Sequence, residues 1–377
     1  MLHAREVLMA VRTKAIATLA PHLKRHPHLK EAGKSLDLYA DILKHSAASV
    51  LPSIIEPDPR EIYITLTANC NLRCMGCRYG RDFMPGEQLS WPMVRDLLDD
   101  CKEAGIRSIR LYGGEPLLHK DLARIVEYSV NLGLNPWLTT NGILLRERID
   151  ELYRAGLRTV HLGYYGTGED YDRYVQRKEK YNRLESGVAY VRERFGMSVK
   201  LALGWVLMRP TCNIAAVRKT WEFAERYAAP IGVSLVHYSL PYFTEGPGGE
   251  LQFQPKDRPA IEEVVSELIR LKRSRPELIQ QSEMALRSVP DWLLKGRNMN
   301  VPCDRYRLLW IGADGTVQMC YVTFRLGNLH EKRLRDMLFT PEHRQFARDA
   351  FALRCPHCHC SYHNRIEMHM PSRRQYS

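Results

Sequence analysis

The sequence lacks the marks of a membrane-spanning or secreted protein. Nowhere in its 377 residues do 18 apolar side chains follow one another, so we expect no transmembrane helix. Charged residues interrupt every apolar run in the first 30 positions, which argues against a secretory signal peptide there. We therefore expect a cytoplasmic protein whose ten cysteines stay reduced and form no disulfides.

The sequence also lacks a block of lysines and arginines of the kind that binds nucleic acid. Its 55 basic and 43 acidic side chains are interspersed and leave a formal net charge of +12. Because such an excess favours anionic partners, we expect a polar or anionic small molecule as the substrate and no nucleic acid. Apolar residues make up 45% and charged residues 26% of the chain, which is typical of a folded globular protein.

Short apolar runs alternate with helical patterns between residues 60 and 240. This alternation predicts right-handed βαβ units around a parallel sheet or partial barrel, an α/β fold. Such sheets carry their chemistry at the carboxyl ends of the strands. The predicted strands are EIYITLT, SIRLYG, NPWLTT, TVHLGYYG, SVKLALGWVLM and GVSLVHY.

Polar motifs follow the first four predicted strands, each at the point where its strand ends. Because the carboxyl ends of parallel strands meet at one edge of a sheet, we expect these motifs to converge on one mouth. They are Cys70 after the first strand, GGE (113–115) after the second, TTNG (139–142) after the third and YYG (164–166) after the fourth.

The flanking regions have other patterns. Apolar positions recur at helical spacing in VLMAVRTKAIATL and LDLYADILKHSAASVL, before a proline-rich linker. A second Pro/Gly-rich stretch, near residue 245, precedes two helical segments and then a smaller region that holds half of the cysteines. We therefore divide the chain into a helical extension (1–58), a barrel (59–240), a helical linker or substrate-facing segment (241–299) and a second cysteine region (300–377).

The first cysteine group lacks a fourth thiol. Cys70, Cys74 and Cys77 stand at Cys-x3-Cys-x2-Cys spacing directly behind the first predicted strand. Four thiolates close a tetrahedral zinc site, whereas three leave one metal position open. In a cubane, the same counting leaves one iron without a protein ligand. The alternatives are a zinc site completed by a distant histidine and a loop with incidental cysteines.

The segment CNLRCMGC, residues 70–77, resembles the cluster motif of the radical S-adenosylmethionine (SAM) superfamily. The resemblance implies that Cys70, Cys74 and Cys77 hold a [4Fe–4S] cluster whose fourth iron is chelated by the amino and carboxylate groups of SAM. It further implies that the reduced cluster cleaves SAM to methionine and a 5′-deoxyadenosyl radical, which abstracts a hydrogen atom from the substrate.

Two further motifs resemble the family's SAM-binding motifs. Gly113, Gly114 and Glu115 match the GGEP motif, which implies that they hold the amino group of SAM. The glycines would let the backbone approach the ligand closely. TTNG resembles the motif of the third strand, which implies that Thr140 and Asn141 contact the carboxylate and ribose of SAM.

The chain departs from the family's pattern at two positions near these motifs. Gly76 stands where relatives often carry an aromatic residue beside the adenine. The fourth strand ends in GYYG and not in a Ser-Leu-Asp-Gly-like run. We therefore expect Tyr164 to contribute to the cofactor site, while Tyr164 and Tyr165 could instead face the substrate or simply pack at the barrel rim.

The second cysteine group resembles the family's auxiliary-cluster domains, which are called SPASM and twitch. It reads Cys303-x11-Gly315-x4-Cys320, then the Gly-Asn turn and helix of LGNLHEKRLRDMLFTPEHRQFARD, then CPHCHC at 355–360. A full SPASM domain has seven cysteines and two clusters, whereas this chain offers five. The resemblance therefore implies the shorter twitch version with one auxiliary [4Fe–4S] cluster.

The ligands of that auxiliary cluster are most simply Cys303, Cys320, Cys355 and Cys358. Cys360 is either a competing ligand or a spare thiol, so whether Cys358 or Cys360 completes the cluster stays open. The alternative is a structural zinc site that uses the neighbouring histidines, His357, His359 and His363.

The two remaining cysteines carry weaker signals. Cys101 falls on the apolar face of a predicted helix, which is typical of a buried apolar residue. Cys212 follows the fifth predicted strand on the mouth side. There it is a candidate to return a hydrogen atom to a substrate radical, although an inert loop cysteine is the simpler interpretation.

The resemblance implies an anaerobic radical SAM enzyme built on a partial (β/α)6 barrel, with an electron donor of the flavodoxin or ferredoxin type. We expect it to oxidise or epimerise a small polar metabolite, such as a sugar, a cyclitol or a nucleotide-linked compound. The maturation of ribosomal peptides is the alternative, although residues 1–58 look helical and unlike a winged-helix peptide-recognition domain. A non-catalytic zinc-binding or nucleic-acid-binding protein is the alternative from another class.

Overall fold

A computed structural model describes residues 27–79, 81–237, 243, 246 and 249–377. The predicted helix VLMAVRTKAIATL and most of the Pro/Gly-rich stretch after residue 237 lie outside the described residues. The predicted helix LDLYADILKHSAASVL is confirmed and belongs to the longer helix α1, Pro27–Val50.

One nine-stranded sheet organises the described part of the chain, in the order β6-β5-β4-β3-β2-β1-β7-β8-β9. Its first six strands are parallel and lie side by side in chain order. The six predicted strands and the partial barrel are therefore confirmed. The strands are β1 (Glu61–Thr67), β2 (Ser108–Gly113), β3 (Asn135–Thr140), β4 (Thr159–Tyr164), β5 (Lys200–Leu207), β6 (Ile231–Leu235), β7 (Leu308–Ile311), β8 (Thr316–Gln318) and β9 (Arg325–Asn328).

Amphipathic helices follow the strands, as the apolar spacing predicts. In the first of them, Val94, Leu97, Leu98 and Cys101 recur at three- and four-residue intervals and are buried. The helices after α1 are α2 (Trp91–Glu103), α3 (Leu122–Asn131), α4 (Leu145–Arg154), α5 (Glu169–Val175), α6 (Lys180–Phe195), α7 (Ile214–Arg226), α8 (Arg258–Ser274), α9 (Glu283–Arg287), α10 (Val289–Lys295), α11 (Leu334–Met337), α12 (Pro341–Phe351), α13 (Tyr362–Met368) and α14 (Met370–Tyr376).

Strand β1 separates the main core from the interior of the barrel. Ile62, Ile64 and Leu66 are fully buried in the main apolar core, which also holds Val94 of α2. Tyr63 belongs instead to a second, largely aromatic cluster. Because successive side chains of a strand point to opposite faces, each strand carries one row toward the helices and one row into the barrel.

The second cysteine region continues the sheet of the barrel, which the sequence patterns did not predict. Strand β7 pairs in parallel with β1, and β8 and β9 then return antiparallel. The hairpin therefore places Cys303, before β7, and Cys320, after β8, next to the β1 side of the barrel. Helix α1 packs on this region, where Arg307 donates to Asp41 at 2.8 Å.

Two short helices, α13 and α14, close the chain back onto the barrel and were not predicted. Tyr362 of α13 donates from its hydroxyl to the carbonyl of Val233 at the end of the sheet, at 3.2 Å. Ser282, the N-cap of α9, donates to Glu367 at 2.6 Å. Within the described residues, none of the helices combines the length and apolarity that crossing a bilayer needs.

Candidate active site

A cavity of about 510 Å³ lies inside the barrel and reaches both cysteine groups. Its lining includes Cys70, Cys74 and Cys77, which define its SAM end, and Cys360, which defines its auxiliary end. The convergence of the strand ends on one mouth is thereby confirmed for the loops after β1, β2 and β3. Side chains from the middle of the strands also line the cavity.

The loop that carries Cys70, Cys74 and Cys77 is held by backbone contacts on several sides. The amide of Met75 donates to the carbonyl of Tyr174 at 2.9 Å, and the amide of Cys77 donates to the carbonyl of Cys74 at 3.1 Å. Arg81 donates to the carbonyls of Cys74 and Cys77 at 3.0 and 2.6 Å. A single β-bridge to Phe243 adds a contact from the segment after β6. The three sulfurs are thus presented to the cavity from one supported loop.

The electrostatics of these thiols suit bound iron. Burial raises the pKa of Cys70 to about 12 and raises the pKa of Cys74 well above its ordinary value, with the neighbouring thiols adding to the shift of Cys74. A free thiolate is therefore disfavoured at this end of the cavity. A coordinated thiol is deprotonated outright, because the cation stabilises its charge. Three sulfurs around an open space thus fit a cluster with one iron left without a protein ligand.

The glycines of the GGE motif are required by packing against the cysteine-bearing strand. A Cβ atom on Gly113 would lie 2.4 Å from the carbonyl oxygen of Thr67, and φ at this position is +147°. A Cβ atom on Gly114 would lie 2.3 Å from the carbonyl oxygen of Asn69. Both glycines also line the cavity. Close approach to backbone, rather than to a ligand alone, therefore explains why no side chain fits at either position.

Glu115 is fully buried and does not itself line the cavity. One carboxylate oxygen accepts from the hydroxyl of Thr140 at 2.7 Å and from the amide of Leu117 at 2.9 Å, and the other accepts from the amide of Asn141 at 2.9 Å. Burial nevertheless raises the pKa of Glu115 to about 7, against the lowering effect of these hydrogen bonds. The carboxylate therefore ties GGE to TTNG, and contact with SAM stays a prediction.

Thr140 and Asn141 both line the cavity beside the first cysteine group. The side-chain amide of Asn141 donates to Asn71 at 2.7 Å and lies 4.0 Å from the sulfur of Cys70. Its side-chain oxygen accepts from the amide of Ile143 at 3.0 Å. The structure thus brings TTNG against the cysteine loop, as the strand-end argument predicts.

Tyr165, and not Tyr164, reaches the cavity. Tyr164 is fully buried on the outer face of β4, where its ring lies 5.0 Å from that of Phe223 in α7. Its hydroxyl and that of Thr167 are 3.0 Å apart. The alternation of side chains along the strand sends its successor to the opposite face. The expectation that Tyr164 lines the cofactor site therefore finds no support in its placement.

The second cysteine group gathers around Cys358. The pKa of each of the other four thiols, Cys303, Cys320, Cys355 and Cys360, is raised by burial together with the charge or hydrogen bond of Cys358. The hydrogen bond from Cys360 is the main cause that lowers the pKa of Cys358 itself, to about 6. Cys358 thus influences all four of the other thiols, while the ligand set and the choice between Cys358 and Cys360 stay predictions.

The histidines near this group do not form a preformed zinc site. The two ring nitrogens of His357 lie 2.6 and 3.0 Å from the backbone carbonyls of Arg297 and Leu353. His359 faces the carbonyl of Leu235 at 3.2 Å through its Nε2 atom. In the described part of the chain, no set of three or more His, Cys, Asp or Glu side chains stands where one metal ion could be shared.

A layer of large side chains in the middle of the strands was not predicted from the sequence. Arg110 of β2, Trp137 of β3 and His161 of β4 all line the cavity. The rings of Trp137 and His161 lie 4.6 Å apart, and burial, followed by the charge of Arg110, lowers the pKa of His161 to about 4. The available signal was a large polar residue in the interior of a predicted parallel strand, where both faces are normally apolar.

Neither of the remaining cysteines lines the cavity. Cys101 is fully buried in the main apolar core, as its helix position predicts. Cys212 is buried too, and burial raises its pKa to about 12, with smaller contributions from Asp257 and Glu263 near α8. The structure thus gives no contact between Cys212 and the cavity, and its role as a hydrogen donor stays untested.

Comparison with known proteins identifies the two cysteine regions. The family model of the radical SAM superfamily matches residues 64–204. The family model of SPASM, an iron–sulfur cluster-binding domain, matches residues 303–360, from the first to the last cysteine of the second group. The chain contains a radical SAM domain followed by a SPASM domain. The cofactors of the radical SAM domain are SAM and the [4Fe–4S] cluster that binds it. The cofactor of the SPASM domain is an auxiliary iron–sulfur cluster.

Individual relatives match shares of the chain that differ widely. A probable GTP 3′,8-cyclase of Archaeoglobus fulgidus is 39% identical over 103 residues, which cover 26% of this chain and 33% of the relative. A probable GTP 3′,8-cyclase of Saccharolobus solfataricus is 26% identical over 69% of this chain and 82% of its own length. The chain spans 33–41% of the length of the first three curated relatives it matches.

A solved structure shares the fold over most of the chain. Streptococcus suis SuiB, in a crystal structure with its precursor peptide SuiA, has a TM-score of 0.59 and 14% sequence identity, and the match covers 90% of this chain and 80% of SuiB. The shared fold thus extends beyond the residues that the two family models match. At such low identity the likeness describes architecture alone.

Proposed function

We propose that the protein is a radical SAM enzyme that removes a hydrogen atom from a small anionic substrate bound in the cavity. The observation that carries the proposal is that one cavity is lined by cysteines of both the first and the second group. A substrate there can meet the SAM end and the auxiliary end at once. When bound, the reduced cluster and SAM supply the one-electron chemistry, and the protein supplies binding, orientation and the exclusion of water.

The residues fit these cofactors in the following way. Cys70, Cys74 and Cys77 would hold the cluster that binds SAM, because their sulfurs face one end of the cavity. GGE and TTNG, joined through Glu115, would hold the amino, carboxylate and ribose groups of SAM. The auxiliary cluster would be held by Cys303, Cys320, Cys355 and Cys358. An external one-electron donor of the flavodoxin or ferredoxin type would reduce the first cluster.

The charge of the cavity supports an anionic substrate. Among the described residues that line it there is no aspartate or glutamate, while four arginines carry positive charge and burial keeps the histidines neutral by lowering their pKa values. Positive side chains in a low-dielectric cleft raise the local concentration of anions. The GTP 3′,8-cyclase relatives favour a nucleotide-linked compound within this class, beside the sugars and cyclitols that we expect from the sequence. The basic and imidazole side chains are Arg73, Arg81, Arg110, Arg305, His161, His237, His359 and His363.

The reaction type follows from the second cysteine group. An auxiliary cluster within reach of the substrate can accept the electron that a substrate radical loses, which gives net oxidation. Epimerisation instead needs a hydrogen atom from a thiol, and Cys360 is the thiol of the second group that lines the cavity. We therefore place oxidation first and epimerisation second.

Iron content and SAM cleavage test the proposal directly. Two cubanes predict about eight irons per chain after anaerobic reconstitution. With dithionite and SAM, we expect 5′-deoxyadenosine to form, and Cys74→Ala should abolish it. Cys101→Ala is the matched control, because it removes a buried thiol outside both groups. A colourless protein that holds zinc alone, or wild-type protein that behaves like Cys74→Ala, would contradict the proposal.

Peptide maturation is the second candidate within the same superfamily. SuiB shares the fold and was solved with a precursor peptide, but the described N-terminal part of this chain is the helix α1. A small open reading frame for a precursor beside the gene would favour this candidate. Turnover of that peptide, with no turnover of anionic metabolites, would replace the small-molecule assignment.

A further inference from the structure

Arg110 occupies the middle of strand β2 and points into the barrel. In the register of the sheet it lies opposite Tyr63 of β1 and Trp137 of β3. It precedes Gly113 by three residues, so it lies about 10 Å below the strand end that carries the SAM motif. Arg110 therefore belongs to the part of the cavity between the two cysteine groups.

Aromatic rings and hydroxyls surround the guanidinium of Arg110. It lies 4.7 Å from the ring centre of Tyr63, 4.8 Å from that of Tyr112 and 5.0 Å from that of Trp137. Its Nε atom donates to the hydroxyl of Thr139 at 2.9 Å, and its Nη1 atom donates to the hydroxyl of Tyr321 at 3.1 Å. These contacts fix the plane of the side chain and leave further N–H groups for a ligand, because a guanidinium has five donors.

No carboxylate forms an ion pair with this arginine in the described part of the chain, although the charge of Glu61 acts on it from a distance. Both of its side-chain acceptors are hydroxyls, and no acidic side chain there lines the cavity. Glu61, near the amino end of the neighbouring strand, accepts from the hydroxyl of Ser108 at 2.9 Å. A charge that is withdrawn from water without a counter-ion is costly. A fixed guanidinium that no carboxylate contacts is therefore a natural receptor for an anion.

We propose that Arg110 binds the anionic group of the substrate, a carboxylate or a phosphate, through the free edge of its guanidinium. This inference rests on the proposed function and specifies where its substrate is held. Planar, paired N–H groups match both kinds of oxygen anion. Tyr321, which follows Cys320 in the chain, positions Arg110 from the auxiliary side. An anion held here lies beside the SPASM domain, while the rest of the substrate extends toward the cysteines that bind the SAM cluster.

Crystals of the anaerobic, SAM-loaded holoenzyme test this site with selenate as the probe anion. We expect an anomalous selenium peak within hydrogen-bonding distance of the Arg110 guanidinium in the wild type. It should be absent in Arg110→Gln. The matched control is Arg124→Gln, which removes an exposed arginine 4.2 Å from the ring of Trp91, outside the cavity, and should keep the peak.

Calorimetry on the same holoenzyme separates the two kinds of anion. Phosphate and acetate are titrated separately, and the tighter of the two identifies the group that the site prefers. We expect the affinity for that anion to fall at least tenfold in Arg110→Gln. Arg110→Lys keeps the charge but not the fork, so it should lose most of this affinity while it folds with a full iron content. Arg110→Lys therefore tests the inference if Arg110→Gln does not fold.

Three results would overturn the inference. One is a wild-type crystal in which the carboxylate of SAM itself occupies Arg110. Another is a selenate peak that Arg110→Gln leaves unchanged, and the third is equal anion affinity in the wild type and in both variants. Wild-type protein that still forms 5′-deoxyadenosine in these cases would leave the proposed function intact. Failure of that reaction in the wild type would instead remove the proposed function.

Discussion

The two cysteine groups differ in how the chain brings their sulfurs together. Cys70, Cys74 and Cys77 lie within eight residues on one loop behind β1, and hydrogen bonds within the loop and to the carbonyl of Tyr174 hold it. The second group joins residues from Cys303 to Cys360, which are separated by three strands and two helices. The first group is therefore local, whereas the second exists only once β7–β9 and α12 have folded.

This difference predicts different consequences when a cluster is lost. A loop at the mouth of a finished barrel can lose its cluster while the sheet beneath it stays intact. A cluster that joins distant segments acts as a cross-link, and metal binding of this kind contributes directly to folding. We therefore expect the first cluster to govern chemistry and the second to govern stability as well.

The largest expected effect comes from one cysteine in each group. Cys77→Ala should lower 5′-deoxyadenosine formation by at least about 100-fold, because loss of a ligand exceeds the 10- to 100-fold effects of outer-shell changes. Cys303→Ala should instead lower the free energy of unfolding by about 3 kcal/mol, the scale of cross-links that close long loops, or about 4 °C in Tm for a chain of this length. Calorimetry and product analysis of both anaerobic variants measure the two quantities.

The opposite pattern would break the comparison. If Cys77→Ala destabilised the protein as much as Cys303→Ala, the first group would also be a structural cross-link. Iron content is the control, because each variant should lose about four of about eight irons.

The next effect tests whether the first group depends on its neighbour strand. Gly114→Ala would bring a Cβ atom to 2.3 Å from the carbonyl oxygen of Asn69, one residue before Cys70. We expect the cysteine loop to shift, with 5′-deoxyadenosine formation reduced at least about tenfold, or about 1.4 kcal/mol. Gly33→Ala is the control, since nothing lies within 4 Å of its added Cβ atom. An active Gly114→Ala enzyme with full iron would show that the loop is independent of GGE.

The same contrast explains what the sequence predicts and what it does not. Local patterns sufficed for the strands of the barrel, because a buried parallel strand is a short apolar run between turns. They also sufficed for Cys70, Cys74 and Cys77, whose spacing is local. The pairing of β7 with β1 joins residues more than 240 positions apart, and no local pattern reports such a contact.

Side-chain direction was the second limit. The motif YYG indicates the strand end but not which tyrosine faces inward, and a shift of one residue exchanges the two faces. Tyr165 therefore lines the cavity while Tyr164 packs against α7. Arg110 escaped notice for a related reason, since a charged residue inside a strand is conspicuous only once both faces are known to be enclosed.

A smaller effect should come from the ion pairs that join the SPASM domain to the barrel. Asp100 of α2 is fully buried and accepts from Arg333 at 2.8 and 3.0 Å and from Arg335 at 2.6 Å. Asp100→Asn should destabilise the protein by about 2 kcal/mol, below the range for a fully buried pair because both arginines are partly exposed. Chemical denaturation measures this value. Glu103→Gln, which breaks an exposed pair with Arg335, should cost less than about 1 kcal/mol.

The smallest expected effect concerns the contact of α1 with the second cysteine region. His45 is buried against Tyr306, with Nε2 and the tyrosine hydroxyl 3.1 Å apart. Burial, followed by the charge of Arg307, lowers its pKa to about 4. A histidine with a lowered folded-state pKa contributes stability above the unfolded-state pKa of about 6.5, and loses it as the pH falls toward 4. Between pH 7.5 and 5.5 we expect a loss of about 1 kcal/mol from this residue. Subtracting the stability of His45→Gln, measured at the same pH values, isolates the contribution of His45 from that of the other buried histidines. A difference that does not change with pH would show that α1 stays docked when His45 is charged.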